Sequence, residues 1–594
     1  MAPTTRSKRA SVKTTKSSSS SGQKPKTESK KKPRKSKDTS SSTDPGPIEL
    51  LRHQGLSLIR QSNALVPISR FPPEVLGSIF VFASNDEFEE HKTTRTRVYI
   101  SSVSHYWREV AISIVALWRN LVLRERLRDH EIQTCSERAR GNPLRLHIIG
   151  PSMEEDDGEY RGHWNKYSTQ RLVDVLGRAE SLEVNATPLE CHDLDFPNST
   201  TLAHLKLDDP CYRVSIPTSY LRSRLDDRGN EPLDMMSRLD TKFPNLLSLE
   251  LVDHSVSLSD LRLPSSLLNL NIDNVLDLCW SEDVADVLDV LRNLHNLERL
   301  SLAHAMTDFK TPNALEHLDT VSLPRLKDFS FEGQVSTCIA FTKALQLPSS
   351  VRRKLVVHQR GKDSDRYDTH SEETTRVNAL RLYNELITEL AKLEAHFAHA
   401  FVLGGSGTWV LAWKHTQSLE DLDNIKICYD SGPVNSNCPA DLELRFIESR
   451  HVEEADALRL ESLLDQARML TIYSGQCSLH APSLLGHLDK LEVLTYAFAA
   501  CTRNDQKRWI LEDLTKHSPP LPQLRLLRLR QYSFVKDNLD RLLAVCRQRQ
   551  ELGAALDIQL RSCYEVTKAK VDTLRTLTKS VDWDQQKPEF RNWY

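Results

Sequence analysis

From about residue 140 the chain repeats one apolar spacing, L-x-x-L-x-L with conservative replacements. Copies stand at "LAHLKL" (Leu202 to Leu207), "LLSLEL" (Leu246 to Leu251), "LLNLNI" (Leu267 to Ile272), "LERLSL" (Leu297 to Leu302), "LKDFSF" (Leu326 to Phe331), "LEVLTY" (Leu491 to Tyr496) and "LRLLRL" (Leu524 to Leu529). Looser copies are "AESLEV" (Ala179 to Val184), "LDNIKI" (Leu422 to Ile427) and "ARMLTI" (Ala467 to Ile472). The last two apolar positions lie two apart and share one face of a strand, while the first packs where the chain enters it. One such strand cannot bury its face, whereas parallel stacking of many does. Several copies follow a proline, as in "FPNLLSLEL" and "LPRLKDFSF", which predicts a turn into each strand. Helical stretches such as "SEDVADVLDVLRNL" (Ser281 to Leu294) lie between copies. The starts at 202, 246, 267, 297 and 326 leave gaps of 44, 21, 30 and 29 residues. A regular repeat of this kind runs about 20–29 residues, so the array is degenerate, with insertions around 208–240 and 355–420. An ordinary α/β domain with leucine-rich strands is the alternative.

Ahead of this body the pattern changes to helical spacing. "IELLRHQGLSLIRQSNALVPI" carries Leu51, Leu58, Ile59 and Leu65 and predicts a lead-in helix ending before Pro67. In "SRFPPEVLGSIFVF", Ser69 stands as an N-cap, Pro72 and Pro73 fall in a first turn, and Glu74 suits the positive helix end. Val75, Leu76, Ile79, Phe80 and Phe82 give a stripe wider than one neighbour requires. The polar stretch "SNDEFEEHKTTRTR" reads as a link. After it, Val103, Tyr106, Trp107, Val110, Ile114 and Val115 mark one face of a second helix. "ALWRNLVL" closes the module with Leu117, Trp118 and Leu121. An apolar surplus in so small a unit points to docking on a partner or on the following domain.

Composition changes the picture mainly at the N-terminus. Residues 1–46 hold 13 Lys/Arg against 3 Asp/Glu, leaving 66 against 78 for the remainder, so a basic arm precedes an acidic body. The arm is Ser, Thr, Lys and Pro with few large apolar side chains and is expected to be disordered. Lys30, Lys31, Lys32, Arg34 and Lys35 form a compact nuclear-import type cluster, which an import receptor would read. The same charges would also attract nucleic acid without sequence preference. No apolar run approaches a membrane span and the N-terminus lacks a signal core, so an intracellular protein, nuclear and/or cytoplasmic, is expected. The eleven cysteines form no CxxC pair, which suits reduced thiols.

The module residues resemble an F-box of the kind common in mushroom-forming fungi. There the chain reads "NALxPISRLPPEILxxIF" and then "VCxxWRxIAxxxPxLWxxI". This sequence offers "NALVPISRFPPEVLGSIF" (Asn63 to Phe80) and "VSHYWREVAISIVALWRNL" (Val103 to Leu121). Phe71 stands for the usual Leu, Ser104-His105 for Cys-Arg, and Val115 where Pro is common. The resemblance implies a three-helix module that binds a Skp-type adaptor and, through it, a cullin scaffold. By position, Phe71, Pro72, Val75, Leu76, Ile79 and Phe80 would supply much of the adaptor surface, with Trp107, Leu117 and Trp118 completing it or packing beneath it. The body in turn resembles the irregular leucine-rich-repeat domains that follow F-boxes.

The expected organisation is therefore an α/β repeat protein. It has a disordered tail (1–46), a lead-in helix or linker (47–65), an F-box (66–125), a degenerate leucine-rich-repeat solenoid (126–570) and a C-terminal segment (571–594). "TRVNALRLYNELITELAKLEAHFAHAF" (Thr375 to Phe401) reads as an amphipathic helix and "GGSGTWVLAW" (Gly404 to Trp413) as a turn into a buried strand. The Gly404 to Gly407 run lacks the Lys-Ser/Thr of a phosphate loop, and His396 and His399 lack further ligands at metal spacing. No catalytic motif, cofactor or metal site is expected. The function implied is substrate recognition within a Skp–cullin–F-box ubiquitin ligase, with an unidentified target on the repeats and no chemistry of its own. The alternatives are a nuclear scaffold holding nucleic acid or chromatin through the basic tail, and an enzyme hidden in 355–480.

Overall fold

The computed structural model describes residues 47–585 apart from 85–89, 125–128, 150–168, 186–196, 209–237, 253–257, 259–260, 274–283, 305–318, 359–371, 393–396, 405–406, 416–425, 429–431, 435–439, 448–459, 475–484, 499–513, 515–520, 533 and 535. The basic tail, with Lys30, Lys31, Lys32, Arg34 and Lys35, lies outside the described residues, as does most of the 208–240 insertion. Two compact units are present, Met1–Arg70 and Phe71–Tyr594.

In the first unit, helix α1 spans Pro47–Leu65 and a 3-10 turn follows at Pro67–Arg70. Ser69 thus lies within that turn, and the position just ahead of the next helix falls to Pro72. The second unit opens with α2 (Pro73–Ser84), α3 (Glu90–Val103), α4 (His105–Ser113) and the short α5 (Val115–Arg119). Pro73 occupies the first helical position of α2, and the Pro72 carbonyl accepts from the Val75 and Leu76 N–H groups. The polar stretch expected as a link contributes α3, and the second helix is broken into α4 and α5 at Ile114, whose backbone is extended.

Next come β1 (Asn120–Arg124), α6 (Asp129–Arg138), β2 (Leu144–Ile149), α7 (Thr169–Leu176), β3 (Ala179–Asn185), β4 (His204–Asp208), β5 (Ser248–Val252) and β6 (Asn269–Asp273). They are followed by α8 (Val284–Leu291), β7 (Arg299–Ala303), β8 (Asp328–Gln334), α9 (Val335–Ala344), β9 (Arg352–His358) and α10 (Glu372–Ala391). Then come β10 (His399–Gly404), β11 (Gly407–Trp413), β12 (Leu442–Ile447), β13 (Met469–Ser474) and β14 (Val493–Phe498). The series closes with β15 (Leu526–Arg530), α11 (Lys536–Glu551), β16 (Asp557–Arg561), α12 (Lys568–Arg575) and β17 (Ser580–Trp583).

These seventeen strands form one mostly parallel sheet, the arrangement of an α/β repeat array. Strands β1 to β9 pair in sequence order, as do β13 to β17. Between them the order is β9-β12-β11-β10-β13, with β11 antiparallel to both of its neighbours. The register stacks the repeat positions: Leu205, Leu249, Leu270, Leu300 and Phe329 form one ladder, and Leu207, Leu251, Ile272, Leu302 and Phe331 the next. Every one of these side chains is buried. Helices α7 to α12 bury their apolar faces in the same continuous core. At about 1.5–3 kcal/mol per buried leucine-sized side chain, this core is the main stabilising term.

The turn into each strand is a fixed device. The N–H groups of Leu246, Leu267, Leu297, Leu326, Leu491 and Leu524 each donate to the carbonyl three residues earlier, at 3.0–3.2 Å. Pro244, Pro324 and Pro522 fall at the second position of three such turns, where a fixed φ suits the bend. The carbonyl just after each first repeat position (Leu247, Leu268, Glu298, Arg468 and Glu492) accepts from two successive N–H groups at the next strand's entry. That repeated pair of bonds fixes the stagger between neighbours.

Two further expectations change. Of "LDNIKI", the described Lys426 and Ile427 do not enter the main sheet: Lys426–Cys428 pairs antiparallel with Gly432–Val434. The helix expected over Thr375 to Phe401 ends at Ala391, because β10 begins at His399. His399 therefore sits on a strand, and His396 lies outside the described residues. Gly404 ends β10 and Gly407 begins its antiparallel partner β11, in keeping with the turn expected there.

Candidate functional site

The helices α2 to α5 place an apolar surface over a small core of their own. Along α2 the side chains divide by helical spacing. Leu76, Gly77 and Phe80 face inward, while Val75 and Ile79 are 44% and 41% exposed. Phe71, just ahead of the helix, is 44% exposed and Phe82 is 85% exposed. Within the helix, positions 75, 79 and 82 recur at steps of four and three, so they lie along one side. Val98, Tyr99 and Val103 of α3 are exposed as well.

The inward side is closely fitted. The rings of Phe80 and Trp107 lie 4.9 Å apart between centroids and are tilted by 51°. A side chain on Gly77 would meet Ile114 Cδ1 at 3.0 Å, so the absent Cβ lets α2 approach the α4–α5 break. The Tyr106 hydroxyl donates to the Phe71 carbonyl at 2.8 Å and ties down the start of α2. The buried Trp118 indole donates to the Ala111 carbonyl at 2.7 Å, while the Arg138 guanidinium lies 4.3 Å from its ring centroid. Arg97 of α3 is buried beside Cys135 of α6, and burial lowers its pKa. Arg119 hydrogen-bonds the Pro143 carbonyl and pairs with Glu180, fastening α5 to the sheet.

The nine residues singled out by resemblance thus separate. Phe71, Pro72, Val75 and Ile79 are exposed, Leu76, Phe80, Leu117 and Trp118 are buried, and Trp107 is half-buried. The first four are available to a partner, and the others hold the helices that present them. Phe82 belongs to the stripe visible in the sequence. Val98 and Tyr99 escape sequence reasoning because they border a polar stretch with no apolar period.

No family model and no curated protein matches this chain. Among solved structures, it is similar to one titled "Crystal structure of TLR13-ssRNA13 complex", at 12% identity and a TM-score of 0.27. That alignment covers 68% of this chain and 41% of the other, so the chain spans well under half the length of its structural neighbour.

The sheet offers a second surface on the face away from the core. There Lys206 Nζ lies 3.0 Å from Glu183 and 3.6 Å from Glu250, one charge ladder across β3, β4 and β5. Partial burial opposes the Lys206 charge, but the hydrogen bond to Glu183 and the charges of Glu183, Glu250 and Asp208 outweigh it and raise the pKa. Asn271, Ser301 and Ser330 continue the same row. Such a row of polar side chains on parallel strands suits recognition of a protein surface. No helix of the described residues is long and apolar enough to cross a membrane.

Proposed function

We propose that the chain is the substrate-recognition subunit of a Skp–cullin–F-box ubiquitin ligase. The observation that carries this reading is the apolar row Val75, Ile79 and Phe82, exposed on a helix whose opposite side is packed, with the exposed Phe71 just ahead of it. A row of this kind suits burial by an apolar adaptor surface, and its sequence resembles the adaptor-binding half of an F-box. The cullin scaffold would join through the adaptor, and the sheet face would hold the target. In this role the chain is not an enzyme. It would raise the effective concentration of target lysines near a conjugating enzyme, a proximity effect. The basic cluster in residues 30–35 would serve nuclear entry through an import receptor.

The test is co-purification of the full chain with a recombinant Skp-type adaptor. The informative variant is Val75→Asp with Ile79→Asp, because both side chains are exposed and lie outside the packed side of the helix. Leu76→Ala or Trp118→Ala would damage the core and confuse lost binding with lost folding. The expected result is adaptor bound by the wild type and lost in the double variant, with unchanged circular dichroism. A wild-type chain that fails to bind the adaptor overturns the ligase reading.

A further inference from the structure

Strands β6 to β9 end side by side, and their last residues carry a set of side chains that adaptor docking does not use. Asp273, Ala303, Glu332 and Val356 are register partners across the four strands. His358 lies two residues beyond Val356 and so falls on the same face. His304 directly follows Ala303, and strict alternation would send it to the other face. Its φ of 51° breaks that alternation, and its N–H donates to the Glu332 carbonyl at 2.8 Å.

Both imidazoles converge on one carboxylate oxygen. His304 Nε2 and His358 Nε2 each lie 3.3 Å from Glu332 Oε1, with ring centroids 5.6 Å apart. One donor atom from each of the three residues lies within 4.8 Å of the other two, a grouping found once among the described residues. The three side chains are 18%, 20% and 32% exposed, shielded yet open to an ion.

We propose that His304, Glu332 and His358 bind a divalent first-row metal ion, zinc above all. Tetrahedral zinc with arms of about 2.0–2.1 Å sets its ligands about 3.3 Å apart, which the two N···O separations match. The ligand atoms of the two histidines lie within 4.8 Å of each other. Without an ion, the His358 Nε2 and Glu332 Oε1 contact is itself a hydrogen bond, so metal binding would replace it. Two imidazoles and one carboxylate favour zinc over calcium or magnesium, which require more oxygen ligands. Asp273 Oδ1, 4.0 Å from His304 Nδ1, is placed to orient that ring from outside the ligand set. Three protein ligands leave a fourth position for water or a donor atom of a bound target.

The experiment titrates Zn²⁺, and Co²⁺ as a spectroscopic substitute, into the full chain after chelator treatment. Calorimetry on the wild type should show a site that is lost in His304→Ala with His358→Ala. Glu332→Gln, close in size but uncharged, should weaken the site and guards against a double variant that does not fold. Asp273→Asn should weaken it by about tenfold. The Co²⁺ complex should show tetrahedral ligand-field bands without a sulfur charge-transfer band. Zinc affinity unchanged in both the double variant and Glu332→Gln, a thiolate spectrum, or no zinc bound by the wild type would each overturn the assignment.

Discussion

His399 begins β10 with no exposed surface, and neither ring nitrogen has a hydrogen-bond partner among the described residues. Its ring lies 5.4 Å from that of Trp413, its register partner on β11. Burial disfavours the charged imidazolium and pushes the pKa from 6.5 down to about 4. Between those values the unfolded chain takes up a proton that the folded chain refuses. Stability from this residue is therefore complete above pH 6.5 and is lost as pH falls towards 4. The loss amounts to about 3 kcal/mol over that window. His399→Phe keeps an aromatic ring against Trp413 and removes the proton site. Urea unfolding at pH 7 and pH 4 should show the wild type losing about 3 kcal/mol more than the variant. Parallel losses would mean that His399 is not held neutral. Nothing in the local spacing signals this burial, since Thr375 to Phe401 reads in sequence as one amphipathic helix.

At the scale of elements, legibility follows apolar spacing. The strands with leucine or phenylalanine at the fourth and sixth repeat positions are readable, because two side chains on one face commit a strand to a core. Strand β9 is not, because its ladder position beside Phe329 is Arg353. That guanidinium is buried, its Nη1 donates to the Val351 carbonyl at 3.3 Å, and burial lowers its pKa. Helix α3 escapes for the opposite reason: its sequence is polar and rich in Thr, and its position comes from burying Arg97 and Ile100. The candidate site is half legible. Sequence places the nine residues in one module, but only packing separates those that support it from those that face outward. A cap in the same module gives a direct test. Ser104 precedes α4 with extended backbone, and its hydroxyl accepts from the Trp107 N–H at 3.1 Å. Ser104→Ala should cost about 1 kcal/mol, and Ser104→Asp should restore most of it. Thermal melts of the three proteins check this, and a melt unchanged by Ser104→Ala would show that the cap contributes nothing.

For the sheet of the second unit, strand order and chain order part company in one place. A plain stack of repeats couples each strand to its neighbours in sequence. Here β12 enters between β9 and β11, so Leu444 pairs with Leu355 and Val410, whereas β13 pairs with β10 and β14. Leu444 is fully buried, and Leu444→Ala should cost about 2–5 kcal/mol through lost burial and the cavity left behind. Opening of the weakened strand should then spread through the ladder bonds that hold it. Native-state hydrogen exchange should show the largest loss of amide protection in β12, β9 and β11, with β13 less affected. Loss concentrated in β12 and β13 would instead describe repeats stacked in sequence order, and the strand order around β11 would have to be abandoned. The same measurement bears on the proposed metal site, because His358 ends β9. Zinc that raises protection in β7, β8 and β9 but leaves β12 unchanged would place the ion at the strand ends, whereas a uniform rise would point to global stabilisation by binding.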